Sequence, residues 1–248
     1  FSGYTRKNYD AKVASHREGL LDIIQRAGYR VTWIDNNSGC KGTCDRVGQM
    51  VAPPAIRKAW CHGRECLDEL LAATLAAHLD QGIPADEVVV LHQAGSHGPA
   101  YSHRYPAAFR RYTPDCTTSA LQNCSRQEIV NAYDNTIAYT DHVLAGIIDV
   151  LKAREDRYQT ALLYVSDHGE STGEHGLYLH GAPYLLAPSQ QTHVPMVAWL
   201  SDGFSQAMGD GRACLARQRD AELSHDNLFP TMLGLLNMFS GGSLSRFT

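Results

Sequence analysis

A long helical pattern with an apolar run on each side constrains the fold of this chain more than any other feature of its sequence. The pattern opens at Ser125-Arg126-Gln127-Glu128, a capping box in which the serine and glutamate side chains satisfy each other's backbone amides. Ile129, Ala132, Tyr133 and Ile137 follow at helical spacing and predict a helix from 125 to about 151. Before it stands Val88-Val89-Val90-Leu91 within Glu87–His92, and after it Ala161-Leu162-Leu163-Tyr164-Val165. Short continuous apolar runs of this kind suit strands buried on both faces, as in a parallel sheet covered by helices. The expected class is therefore α/β, a three-layer α/β/α sandwich with a mostly parallel central sheet.

The remaining periodicity supports that class. Leu20, Leu21, Ile23 and Ile24 predict an amphipathic helix over 15–27, closed by Gly28 after the cap. A strand is expected over 29–34, then a polar loop from Asp35, and after a Pro- and Cys-bearing connection a helix over 67–79. The run at Ala161–Val165 is expected to be a central strand. Beyond it come a loop of about twenty-five residues, a strand over 194–200 and a helix over about 226–236. With 248 residues and 44% hydrophobic content the chain can bury one sizeable core, so residues 1–248 are expected to form a single domain.

Several function classes are excluded. The net charge is −4 and there is no basic tract with interleaved aromatics, so nucleic-acid binding has no electrostatic footprint. Apolar runs fall well short of the roughly 18 residues that a membrane helix needs, and the N-terminus has no signal-peptide pattern. The chain opens at Phe1, which predicts a fragment whose targeting segment lies upstream. Of seven cysteines, Cys40 with Cys44, Cys61 with Cys66 and Cys116 with Cys124 form short-range pairs in polar, turn-rich stretches, which points to disulfides and an oxidising compartment. A structural zinc site is the rival arrangement, but the spacing lacks a repeated Cys-x2-Cys. Cys214 is left over, with a buried thiol and a partner beyond Thr248 as the two alternatives.

In an open, mostly parallel sheet, ligands bind beyond the carboxyl ends of the strands. There the three strands deliver Asp35, Asn36 and Asn37 with Lys41, then His92 and His97, then Asp167 and His168 with His180 following. An adjacent carboxylate and imidazole at a strand end can share one divalent ion if the backbone turns, which Gly169 permits. The bland alternative is that Asp167 caps a helix and His168 packs beside it. His97 sits in the tight Gly95-Ser96-His97-Gly98-Pro99 loop and can donate to a phosphoryl oxygen or protonate a leaving group. His180 stands thirteen residues beyond Asp167, suited to a second ligand or a phosphate contact. Asn37, Ser38 and Lys41 offer amide, hydroxyl and ammonium donors to phosphate, or else form a solvated turn. His92 is expected to be buried behind the site, and His103, His175 and His193 are not assigned to it.

Four stretches carry a family resemblance. They are Asp35-Asn36-Asn37-Ser38-Gly39-Cys40-Lys41-Gly42, Leu91-His92-Gln93-Ala94-Gly95-Ser96-His97-Gly98-Pro99-Ala100-Tyr101, Asn131-Ala132-Tyr133-Asp134-Asn135-Thr136, and Tyr164-Val165-Ser166-Asp167-His168-Gly169-Glu170-Ser171. With Tyr178-Leu179-His180-Gly181, they resemble the lipid A phosphoethanolamine transferases, which include the mobile colistin-resistance enzymes and share the alkaline phosphatase-like fold.

The resemblance implies that Asp167 and His168 are zinc ligands and that His97 and His180 line the phosphoethanolamine pocket, with a second zinc there as an alternative. It also implies phosphoryl contacts from Asn37, Ser38 and Lys41. A glutamate ligand and a nucleophilic threonine of such enzymes, and their membrane domain, would lie upstream of Phe1, so this chain alone is expected to be inactive. Thr5 does not match the nucleophile's surroundings, His175 stands where similar enzymes carry asparagine, and Cys214 would pair with a C-terminal cysteine. The implied activity transfers phosphoethanolamine from phosphatidylethanolamine to lipid A, or to a core sugar of lipopolysaccharide, through a phosphothreonine at the periplasmic face of the bacterial inner membrane. Two alternatives stand: a related metal-dependent phosphatase or sulfatase, and a non-catalytic domain that binds a phospholipid headgroup.

Overall fold

The computed structural model describes residues 1–63 and 65–238. Its helices are α1 (Ala11–Ser15), α2 (Leu20–Arg26), α3 (Pro54–Trp60), α4 (Glu69–Asp80), α5 (Arg126–Lys152), α6 (Ser189–Thr192), α7 (Asp202–Ala207), α8 (Gly211–Arg217) and α9 (Leu228–Leu235). The strands are β1 (Arg30–Asp35), β2 (Gly48–Met50), β3 (Cys61–His62), β4 (Glu65–Cys66), β5 (Glu87–His92), β6 (Ala161–Val165), β7 (Ser171–Thr172), β8 (Tyr178–Leu179) and β9 (Met196–Leu200).

Strands β2, β1 and β5 form a parallel sheet in that order, with Val31 opposite Val88, Ile34 opposite Leu91 and Asp35 opposite His92. Alternation along the strands sends Val31, Trp33, Val88 and Val90 to one face, where Leu20, Leu21 and Ile24 of α2 and Phe229, Met232 and Leu233 of α9 cover them. Val89 and Leu91 pack on the other face against Leu75 and Leu79 of α4 and Tyr139, Val143 and Ile147 of α5. Three layers result. The same α4 and α5 cluster receives Leu162 of β6 and Trp199 of β9, so α5 underlies both the parallel sheet and the β6–β9 pair. That pair is antiparallel.

The capping box at Ser125 is present, with the serine hydroxyl accepting from the Glu128 amide and the Glu128 carboxylate accepting from the Ser125 amide. The helix expected over 15–27 starts later, at Leu20. Asp22 accepts from the Gly19 amide at 2.7 Å, which starts α2 at Leu20, while Asp10 caps the separate turn of α1. Gly28 follows the cap at φ 100°, a left-handed conformation that favours glycine. Strands β5 and β6 are half-buried, since among the described residues each pairs along one edge only, with β1 and β9 respectively. The connection after β1 contains β2, α3 and the β3–β4 hairpin, and the long loop after β6 contains the β7–β8 hairpin and α6.

Disulfides join Cys40 to Cys44, Cys61 to Cys66 and Cys116 to Cys124. Those sulfurs are therefore not zinc ligands. Cys214 is a half-buried free thiol among the described residues, and the partner expected beyond Thr248 lies outside them. No helix among the described residues is long and apolar enough to cross a membrane.

Candidate metal centre

The segments that follow β5, β6 and β8 bring three imidazoles together. One ligand atom each from His97, His168, His180 and Glu170 lies within 4.8 Å of the others. The ring centroids of His97 and His180 are 4.8 Å apart, those of His97 and His168 5.7 Å, and those of His168 and His180 3.9 Å. Imidazoles at this spacing are close enough to share one divalent cation.

The second nitrogen of each ring supports that reading. His97 Nδ1 donates to the Gly98 carbonyl at 2.7 Å, His168 Nδ1 to the Gly169 carbonyl at 3.1 Å, and His180 Nδ1 to Glu170 Oε1 at 2.9 Å. This tautomer leaves all three Nε2 atoms with a free lone pair, the arrangement in which histidine binds a divalent ion. Asp167 adds a carboxylate 3.8 Å from His168 Nε2. Its side chain is 90% exposed and accepts from the His168 amide at 3.1 Å, so its outer oxygen is open to an ion. Imidazole nitrogens with one carboxylate suit zinc, and the residues fit it.

Close backbone packing fixes the two loops. A Cβ on Gly169 would stand 2.0 Å from the Gln190 carbonyl oxygen, and the Gly169 amide donates to the Gln191 carbonyl. The glycine expected to permit a turn is thus required by the neighbouring segment at Gln190 and Gln191. Ser166 Oγ donates to the His168 carbonyl at 2.7 Å, and His225 Nε2 donates to the Ser166 carbonyl at 2.7 Å. On the other loop, a Cβ on Gly98 would meet Leu179 and Tyr101 at 2.6 and 2.7 Å. Arg104 Nε donates to the His97 carbonyl.

Two buried carboxylates that the sequence did not single out organise the site. Glu170 accepts from His180 and, through Oε2, from the Tyr101 hydroxyl at 3.1 Å. With both oxygens engaged and a side chain 3% exposed, it orients His180 rather than offering itself as a ligand. Asp68 accepts from Asn36 Nδ2 at 2.6 Å and from the Ala94 and Gly95 amides at 2.9 and 2.8 Å, tying the end of β1 to the loop that carries His97. Burial pushes the Asp68 carboxyl above its ordinary range, against those three donors. Burial, with Glu170 beside it, raises Tyr101 well above an ordinary phenol, and Tyr133 is pushed up to about 12 for the same reasons. Both stay neutral.

The other expected residues are less close. Asn37 donates to the Gln93 carbonyl at 2.9 Å, which links it to the His97 loop, but it is exposed, as are Ser38 and Lys41. The structure records no contact from these three to the imidazoles. His92 is not buried as expected: its side chain is 31% exposed, and Nδ1 donates to Asp35 at 2.5 Å. His103 pairs with Glu65, and His175 and His193 are exposed outside the cluster.

A three-layer fold of alkaline phosphatase type, with histidines and a carboxylate gathered beyond its strand ends, defines the class. Residues 1–238 match the Sulfatase family, and the chain belongs to that family, within its group of phosphoethanolamine transferases. It is 49% identical over 236 residues to phosphoethanolamine transferase EptA of Salmonella typhimurium, covering 95% of this chain and 43% of that protein. The chain thus spans less than half the length of that relative. The soluble domain of lipooligosaccharide phosphoethanolamine transferase A from Neisseria meningitidis superposes with a TM-score of 0.89 at 45% identity, covering 96% of this chain and 71% of that domain. The same Neisseria enzyme as an integral membrane protein gives 0.89 as well, with 44% of its length covered. The periplasmic domain of EptC from Escherichia coli, in complex with Zn, shares the fold at 22% identity, with a TM-score of 0.69 and 88% and 61% of the two chains covered.

Proposed function

We propose that this chain carries the metal centre of a phosphoethanolamine transferase acting at the periplasmic face of the bacterial inner membrane. It would move phosphoethanolamine from phosphatidylethanolamine to a phosphate of lipid A. The observation that carries this reading is the clustering of His97, His168 and His180, one ligand atom of each within 4.8 Å of the others and with Asp167 adjoining His168, in a chain 45% identical to the Neisseria transferase domain.

Asp167 and His168 are the groups assigned to hold zinc, as the resemblance implies. Zinc, when bound, supplies positive charge for the phosphoryl oxygens and lowers the pKa of a coordinated hydroxyl. Transfer then divides into two displacements. In the first, a threonine Oγ that the resemblance puts outside these residues attacks phosphorus, its proton passes to a base, and the bond to the glycerol oxygen breaks. The departing alkoxide takes a proton and leaves as diacylglycerol. In the second, a lipid A phosphate oxygen attacks phosphorus and the bond to threonine breaks.

His180 is placed to serve the departing oxygen. With Nδ1 donating to Glu170, it can hold a proton at Nε2, and the Glu170 charge stabilises the imidazolium that results. His97 lies edge-on against it, with ring centroids 4.8 Å apart. Asn37, Ser38 and Lys41 are assigned to the phosphoryl oxygens by the resemblance.

The test is transfer of phosphoethanolamine to lipid A by the intact protein, followed by mass spectrometry. His168→Ala should lower the rate about a thousandfold, the scale of several kcal/mol of transition-state stabilisation, and should reduce bound zinc. Full transfer by a zinc-free protein would refute the reading.

A further inference from the structure

The loop over 181–187 follows His180 directly and ends against the buried Pro188. Its tip holds Tyr184, Leu185 and Leu186 in solvent at 55%, 96% and 71% exposure. Single exposed apolar residues are ordinary, but three in succession at the lip of a site are not. The outward pose is set by the backbone, since the Leu186 and Ala187 amides both donate to the Pro183 carbonyl, at 2.7 and 2.9 Å.

Cations adjoin this tip. The Arg6 guanidinium stands 3.5 Å from the centroid of the Tyr184 ring, and Lys7 lines the same groove as Tyr184, His168 and His180. An aromatic ring, two leucines and two basic residues on one rim match the boundary between lipid headgroups and acyl chains, where rings sit at headgroup level and leucines reach below. Arg and Lys add attraction to anionic headgroups.

We propose that residues 184–186 dock on the surface of an anionic phospholipid bilayer, with Leu185 and Leu186 at the acyl boundary and Arg6 and Lys7 on headgroup phosphates. Docking there turns the groove that holds His180 toward the membrane, so that a lipid phosphoryl group enters from the bilayer side. This rests on the phosphoethanolamine reading for why a lipid is the substrate, while the binding itself needs no turnover.

The test is cosedimentation of the 248-residue chain with vesicles of phosphatidylglycerol and phosphatidylcholine, and with vesicles of phosphatidylcholine alone. The native chain should bind the anionic vesicles, and Leu185→Ser with Leu186→Ser should weaken binding about tenfold or more with unchanged thermal melting. Arg6→Glu with Lys7→Glu should abolish the preference for anionic lipid. As a second readout, Leu185→Trp should shift its added emission to the blue on mixing with vesicles. Absence of native binding, equal binding by the leucine variant, or leucine-dependent self-association without vesicle binding would overturn the proposal. Failure to bind, while the intact protein still transfers phosphoethanolamine from micellar lipid, sinks the docking surface alone. Binding without any such transfer sinks the function instead.

Discussion

Glu170 and His180 form a hydrogen-bonded carboxylate–imidazole pair, 2.9 Å from Oε1 to Nδ1, with the carboxylate 3% exposed. Ten residues apart in sequence, they meet because the β7–β8 hairpin folds the chain back, pairing Ser171 with Leu179. The pair fixes the tautomer of His180, whose ring stacks on that of His168 with centroids 3.9 Å apart.

Glu170→Gln should therefore lower the transfer rate of the intact protein about 10²- to 10³-fold, the range of a lost acid–base group, because an amide cannot stabilise the imidazolium. Zinc content should be unchanged, since Asp167 and His168 are the ligands proposed for the ion. Kinetics beside metal analysis checks both, and equal loss of zinc and rate would reassign Glu170 to the metal.

Asp68→Ala should destabilise the chain by about 2–4 kcal/mol in denaturant unfolding, since it leaves the Ala94 and Gly95 backbone amides without their acceptor and takes one of two acceptors from Asn36 Nδ2. Asp68→Asn should recover part of this, keeping an oxygen for Asn36 and Ala94 and losing the bond from Gly95. Identical losses for both variants would contradict the hydrogen-bonding account.

What the sequence discloses and what it hides divide along the range of the interactions. The strand at Glu87–His92, the capped start of α5 and the three disulfides follow from neighbours a few residues apart, and each was legible. His97 and His168 were legible as loop residues at strand ends. Glu170 was not: within Asp167-His168-Gly169-Glu170 it reads as one more polar turn residue, and only burial against Tyr101 and Gly98 gives it a role. Asp68 was hidden for a similar reason. It falls within the helix expected over 67–79 and stands at the N-cap of α4, yet the partners that matter are 26 to 32 residues away in sequence. The start of α2 was misplaced because Leu20 to Ile24 set the apolar face without marking its end, which Asp22 and Gly19 decide.

Cys116→Ser with Cys124→Ser should cost about 2–3 kcal/mol, as expected for releasing a short loop in the unfolded chain. Thermal unfolding with and without reductant checks this, and the double variant should lose most of the reductant sensitivity that arises at the start of α5. An unchanged melting temperature would contradict it.

The Arg46 guanidinium beside Asp22 holds that carboxyl below the ordinary value of 3.8. A folded-state pKa below the unfolded one contributes stability above the unfolded value, and this is lost as pH falls through the folded one. Asp22→Asn should thus make the fall in melting temperature shallower below about pH 4, with little effect near neutrality beyond the lost pair. A parallel pair of melting curves across that window would contradict the assignment.

The account rests on a cation held where β5 and β6 end, and anomalous diffraction at the zinc edge from crystals grown with zinc tests it most directly. The account predicts a peak bonded to His168 Nε2 and the Asp167 carboxylate at about 2.0–2.2 Å, facing His97 and His180. Zinc found only at other residues, with these side chains in the same positions and unliganded, would contradict it.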